Sequence, residues 1–199
     1  MFITIEGVEG TGKTTLGKRL HTYLQAQGHQ VLASREPGGT PVGDRLRALF
    51  LDQTLNMHAL TEVLVVNAAR AELLQTLIKP ALERGTLVLC DRYIDATYAY
   101  QGYGRGIELT LLRTACELAT GGLEPDLTLL LDLDVRQGLA RQGLATPDRI
   151  EREGLEFHER VRQGYLALAR DSARFRVIDA AQTPDAVFAE VVAHVNAAL

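Results

Sequence analysis

Gly7-Val8-Glu9-Gly10-Thr11-Gly12-Lys13-Thr14 restricts the possible folds of this chain more than any other stretch. It follows the apolar run Phe2-Ile3-Thr4-Ile5-Glu6 and opens into residues with helical periodicity, so it reads as strand, glycine-rich loop and helix. Glycines let successive N–H groups turn into a concave site, and the following helix adds the positive end of its dipole. The spacing fits G-x-x-x-x-G-K-[ST], a loop that cradles polyphosphate. In that pattern Lys13 reaches the β- and γ-phosphates and the Thr14 hydroxyl ligates Mg²⁺. Gly7, Val8, Glu9, Gly10, Thr11, Gly12, Lys13, Thr14 and Thr15 are therefore the expected cofactor-binding residues, with ATP the expected phosphoryl donor.

The rest of the chain alternates strand and helix signals. Leu16, Leu20, Tyr23 and Leu24 recur at helical spacing before Gly28. Gln30 to Arg35 reads as a strand stopped by Glu36-Pro37-Gly38-Gly39. Thr40-Pro41 reads as a helix cap with proline at the first position, and Thr183-Pro184 repeats the device near the end. A long helical stretch from about His58 to Arg84 is expected to break near Pro80. Thr86 to Asp91 and Asp126 to Asp132 are continuous apolar runs ending in acids, as in parallel strands buried on both faces, and Phe175 to Asp179 supplies a further strand. This order predicts an α/β chain with a three-layer αβα P-loop fold and a parallel sheet of about five strands.

In such a sheet the carboxyl ends of the strands form the ligand edge. Arg35, Asp91 and Arg92 are expected there. Asp91 reads either as a carboxylate that holds Mg²⁺ or as a cap for the next helix. Asp132 and Asp134 resemble a metal pair, but capping after a strand explains both. The segment Gln142 to Pro147, flanked by Arg141 and Arg149, reads as a short lid over about 141–149 that carries cations to the phosphates.

A chain of 199 residues with 46% hydrophobic content suits one domain, 1–199. Its 21 Lys+Arg against 25 Asp+Glu give a net charge of −4, which argues against nucleic acid or an anionic membrane as a partner. Cys90 and Cys116 have no metal-type spacing and read as buried thiols, and the five histidines form no ligand cluster. With no signal-like segment at the start and no apolar run long enough to span a bilayer, the expected location is the cytoplasm.

Five blocks carry a family resemblance. They are Gly7 to Thr15, Arg35-Glu36-Pro37-Gly38-Gly39, Asn67-Ala68-Ala69-Arg70, Asp91-Arg92-Tyr93 with Ala99-Tyr100-Gln101, and Asp148-Arg149-Ile150-Glu151. Their order and spacing resemble those of the bacterial thymidylate kinases along essentially the whole chain. The resemblance implies Mg²⁺-dependent transfer of the γ-phosphoryl group of ATP to dTMP, giving dTDP on the way to dTTP. It also implies a homodimer built on the long helical stretch from His58, whose apolar band is broad. By the same resemblance, Lys13, Arg92 and the lid residues Arg141 and Arg149 neutralise the moving phosphoryl group. Arg141 is also assigned to ATP. Arg35 and Arg92 match the acceptor-phosphate positions and Arg70 the base reader. Pro37 is an implied substrate contact, Thr97 and Gln101 match positions near thymine and sugar, Tyr100 packs against the deoxyribose, and Glu9 approaches the 3′-hydroxyl. Thr14 and Asp91 are the implied metal residues.

Three positions depart from the family. Ala96 stands where relatives place serine, the lid is poor in arginine, and Val66 stands where relatives stack phenylalanine on thymine. Valine keeps an apolar wall without the π-face. Val66→Phe is then expected to tighten dTMP binding, unless a neighbouring ring has moved into the space. The competing functions are another small P-loop kinase with a different acceptor, and a nucleotide-binding regulator without turnover. The retained Lys13, Thr14, Asp91 and arginine set opposes the second.

Overall fold

The computed structural model describes residues 1–142 and 147–199; the middle of the expected lid, 143–146, lies outside them. The elements run β1 (Phe2–Glu6), α1 (Lys13–Ala26), β2 (Val31–Arg35), α2 (Pro41–Leu51), α3 (Ala59–Leu73) and α4 (Lys79–Glu83). They continue through β3 (Leu87–Asp91), α5 (Ile94–Thr97), α6 (Leu109–Thr120), β4 (Leu127–Asp132), α7 (Val135–Gln142), α8 (Leu155–Arg170), β5 (Phe175–Asp179) and α9 (Pro184–Ala198). Two π-helical turns, Leu74–Ile78 and Tyr98–Gly104, interrupt the α-helical geometry.

All strand pairs are parallel and the order is β2-β3-β1-β4-β5, so β1 sits at the centre. Alternate residues of the central strands β1, β3 and β4 feed opposite cores, which is why these three are buried along nearly their whole length, while the edge strands β2 and β5 are partly exposed. Ile3, Ile5, Leu89, Leu129 and Ile178 pack with Leu16, Leu20 and Leu24 of α1 and Val187, Val191 and Val195 of α9. On the other face Phe2, Val88 and Cys90 meet Leu73, Leu74, Ile78 and Ala81, while Leu130 and Phe175 meet Phe157, Val161 and Tyr165 of α8. The predicted three layers and five parallel strands are present. Both threonine caps are also present: Thr40 accepts from the Gly43 amide at 2.9 Å and Thr183 from the Ala186 amide at 3.3 Å.

Pro80 does not break the helix where expected. It occupies the first turn of α4, directly after the turn Leu74–Ile78, in which the Lys79 amide reaches back to the Leu74 carbonyl. A proline ring collides with the carbonyl four residues earlier, and widening the preceding turn removes the collision without ending the helical path.

Candidate active site

The strand order puts the ends of β1, β2 and β3 side by side, and a cleft of about 940 Å³ opens along that edge. Its walls run from Thr14 and Thr15 past Asp91 and Arg92 to Val66, Arg70, Thr97, Tyr100 and Gln101, with Arg35 and Pro37 on the β2 side.

At the loop, Gly12 takes φ 91° and starts α1 without a side-chain cap, leaving the first amides of the helix for an anion. Gly10 has φ 71°, and a Cβ there would lie 1.9 Å from the Gly138 carbonyl oxygen on α7. The loop is thus pressed against the helix that leads to the lid. Lys13 Nζ folds back to donate to the carbonyls of Gly7 at 3.0 Å and Val8 at 2.7 Å. Burial, with Arg92 beside it, brings the Lys13 ammonium down to about 8 against the pull of Glu9, Asp91 and Glu6. A bound phosphate would restore the charge and compete for those donors.

The Thr14 hydroxyl donates to Asp91 Oδ2 at 3.1 Å. Two oxygen donors beside a phosphate loop fit Mg²⁺, which keeps several waters and takes its remaining ligands from the nucleotide. Among the described residues no cluster of three or more metal-ligating side chains exists, and Asp132 and Asp134 have other partners. Asp132 accepts from Arg162 at 2.7 and 2.9 Å, and Asp134 accepts from the Gln137 amide at 3.2 Å, a cap on α7.

Glu9 and Arg92 face each other at the centre. Glu9 Oε1 accepts from Arg92 Nη2 at 3.0 Å and from the Tyr100 hydroxyl, and Glu9 Oε2 lies 3.2 Å from His158 Nδ1. Burial alone would raise the Glu9 carboxyl, but His158, Arg92, Lys13 and Tyr100 override it and hold Glu9 well below the usual carboxylate range. Arg92 is raised well above its ordinary value. Burial opposes its charge, yet Tyr100, Tyr165, Glu9 and Glu6 surround the guanidinium and prevail. Its Cζ lies 4.8 Å from the centre of the Tyr100 ring.

Arg70 is 1% exposed and its N–H groups are fully engaged. They reach Glu36 at 2.7 Å, Asn67 at 2.9 Å, the Tyr93 carbonyl and Thr97 at 3.0 Å, and Cys116 Sγ at 3.6 Å. Burial opposes its charge, but the Glu36 carboxylate more than offsets this and keeps Arg70 ionised. To meet a base, Arg70 must exchange one of these partners. Val66 lines the cleft in the same buried cluster as Phe50, and Phe50 lines the cleft as well.

The two lid-flanking arginines do not line the cleft, although Arg149 stands over the ring of Phe50, which does. Arg141 Nη1 donates to the Ala180 carbonyl at 3.0 Å. Arg149 donates to the Phe50 carbonyl at 2.9 Å and pairs with Glu62, a fully buried carboxylate that also accepts from Arg105 and, at 3.0 Å, from Gln101. Arg35 is exposed, 3.6 Å from Asp44.

Sequence reading alone missed Glu6, Glu62, His158 and Tyr165. Glu6 carried the same signal as Asp91, an acid closing an apolar strand. His158 and Tyr165 stand two turns apart on one face of α8, where a polar tip on an otherwise apolar stripe was the available cue.

A five-stranded parallel sheet with a phosphate loop on its central strand, opposed by arginines across one cleft, defines a P-loop phosphotransferase. The sequence model of thymidylate kinases matches residues 5–191. Thymidylate kinase of Deinococcus radiodurans is 52% identical over 200 residues, which cover 98% of this chain and 96% of that protein. That of Desulfovibrio desulfuricans is 51% identical, covering 94% and 91%. The crystal structure of thymidylate kinase from Ehrlichia chaffeensis superposes with a TM-score of 0.82 at 33% identity, covering 98% of each chain. The chain belongs to the thymidylate kinase family.

Proposed function

We infer that the cleft carries out the reaction of its family, transfer of the γ-phosphoryl group of ATP to dTMP with Mg²⁺. The observation that carries this reading is the continuity of one cavity from the phosphate loop to the Arg70 pocket, which lets donor and acceptor nucleotides meet end to end. Lys13 and the loop amides take the ATP phosphates, and Thr14 with Asp91 takes the Mg²⁺, which neutralises phosphate charge when bound. Arg92 and Arg35 hold the acceptor phosphate through paired hydrogen bonds of the kind a guanidinium offers. Glu9, kept ionised, accepts the 3′-hydroxyl, while Tyr100 closes the sugar site and Val66, Arg70, Thr97 and Gln101 surround the base. Arg141 and Arg149 flank the proposed lid segment, about 141–149, of a single domain, 1–199.

A coupled ADP-release assay tests the substrate. Turnover is expected to be fastest with dTMP among dTMP, dCMP, dGMP and dAMP, and equal or faster turnover of another monophosphate refutes the reading.

A homodimer is part of the proposal. Leu60 and Leu64 on α3 and Leu111 and Leu118 on α6 are exposed, Leu118 by 89%, and these two helices pack together. Light scattering at micromolar concentration is expected to give twice the chain mass. No described helix is long and apolar enough to cross a membrane. We place the protein in the cytoplasm, and its two free buried thiols, Cys90 and Cys116, suit that compartment.

A further inference from the structure

We propose that Glu6 is a positioning residue for Arg92, gripping it at both ends through the Tyr93 amide and the Tyr165 hydroxyl. The inference rests on the reading of Arg92 as a ligand for the acceptor phosphate.

Arg92 has φ 71°, and among the described residues it is the one non-glycine position with positive φ. Side chains other than glycine rarely occupy this left-handed region, so something must hold the chain there. Two successive amides do so. The Arg92 amide donates to the Ile5 carbonyl at 3.0 Å, and the Tyr93 amide donates to Glu6 Oε1 at 2.7 Å. The turn that follows β3 is thereby tied to the last two residues of β1.

The other carboxylate oxygen of Glu6 reaches the guanidinium through one intermediary. Tyr165 donates its hydroxyl proton to Glu6 Oε2 at 2.7 Å, and its oxygen accepts from Arg92 Nη1 at 3.1 Å. With Nη2 held by Glu9, both branches of the guanidinium are fixed before a substrate arrives. Glu6 is 0% exposed, so it touches no ligand and acts only through these partners.

An acid is a costly choice for filling this space. Burial, and after it the charge of Asp95, raises the Glu6 carboxyl, against the pull of Arg92, Tyr165 and the Tyr93 amide. Lys13 and Arg174 also feel its charge. An apolar residue would fill the site without that cost, but it could not accept two hydrogen bonds in opposite directions.

The test is steady-state kinetics of the full chain, varying ATP and dTMP separately, on wild type, Glu6→Gln, Tyr165→Phe, their double variant and Arg92→Ala. Tyr165→Phe removes one oxygen and keeps the ring, so it serves alone if Glu6→Gln does not fold. Each single variant is expected to lower kcat/KM for dTMP about tenfold, with KM for ATP within about twofold, and the double to lose less than the product of the singles. Glu6 directly precedes the phosphate loop, so simple structural damage would strike ATP first. Loss confined to ATP overturns the inference, as do dTMP constants within about twofold of wild type beside a crippled Arg92→Ala. Near-normal dTMP turnover by Arg92→Ala is a different failure, because it removes the acceptor-phosphate role of Arg92 and the inference with it.

Discussion

Replacing Gly138 with alanine should damage ATP binding from outside the loop. Gly138 sits in α7, where alanine would ordinarily gain roughly 1 kcal/mol over glycine in helix propensity. Here a Cβ would lie 2.4 Å from the Glu9 carbonyl oxygen, and the facing Gly10 leaves a Cβ no more space. Carbon and oxygen need more than about 3 Å, so the loop or the helix must retreat by somewhat under 1 Å. Overpacking of this kind costs about 1–3 kcal/mol, which more than offsets the gain in propensity. A shift approaching 1 Å at Glu9 also displaces the amides that cradle the phosphates, and a misplacement of that size can cost about a hundredfold in rate. Gly138→Ala is expected to raise KM for ATP and lower kcat/KM for ATP by one to two orders of magnitude, roughly, with a smaller effect on KM for dTMP. Gly17→Ala provides the comparison, because in α1 a Cβ meets only Ile5 Cδ1 at an ordinary 3.6 Å. That variant should raise the thermal midpoint. If Gly138→Ala keeps the wild-type KM for ATP, the loop does not depend on the closeness of α7 and the reasoning fails.

Lys13→Ala is expected to cut kcat by roughly 10²–10³, the cost of deleting a preorganised donor to the developing charge, and a variant with more than about a tenth of wild-type kcat refutes this role. Stability should fall as pH rises above 4.5, because burial raises the folded Glu6 carboxyl above its unfolded value and the folded chain binds more protons across that window. The contribution is complete below 4.5 and is lost as pH climbs through the raised value. Glu6→Gln should reduce that slope in the thermal midpoint, and equal slopes for both proteins exclude the assignment. Val66→Phe should weaken dTMP binding in calorimetric titration, because Phe50 already lines the cleft beside a valine that is only 5% exposed and a second ring overpacks the wall. Tighter binding by Val66→Phe would show that the wall lacks an aromatic face.

The fold and the loop were legible in the sequence because both are written in local order. A buried parallel strand must be apolar along its length, a phosphate loop must bring glycines together before a helix, and a helix start must satisfy its own amides. Leu87 to Asp91, Gly7 to Thr14 and the two Thr-Pro caps meet those demands within a few residues. The pairing of Thr14 with Asp91 was legible for the same reason, since strand ends in a parallel sheet share one edge. What the tertiary structure decided lies between segments distant in the chain. Tyr165 and His158 look like parts of an apolar helix face until α8 crosses the site, 159 residues from Glu6 in one contact. Arg149 looks like a free lid cation until the buried Glu62 claims it, and Gly138 looks replaceable until Gly10 lies against it. Periodicity shows that a residue faces inward. The group it meets there is decided by packing, and in this cleft those meetings determine which charges are held and which are available to a ligand.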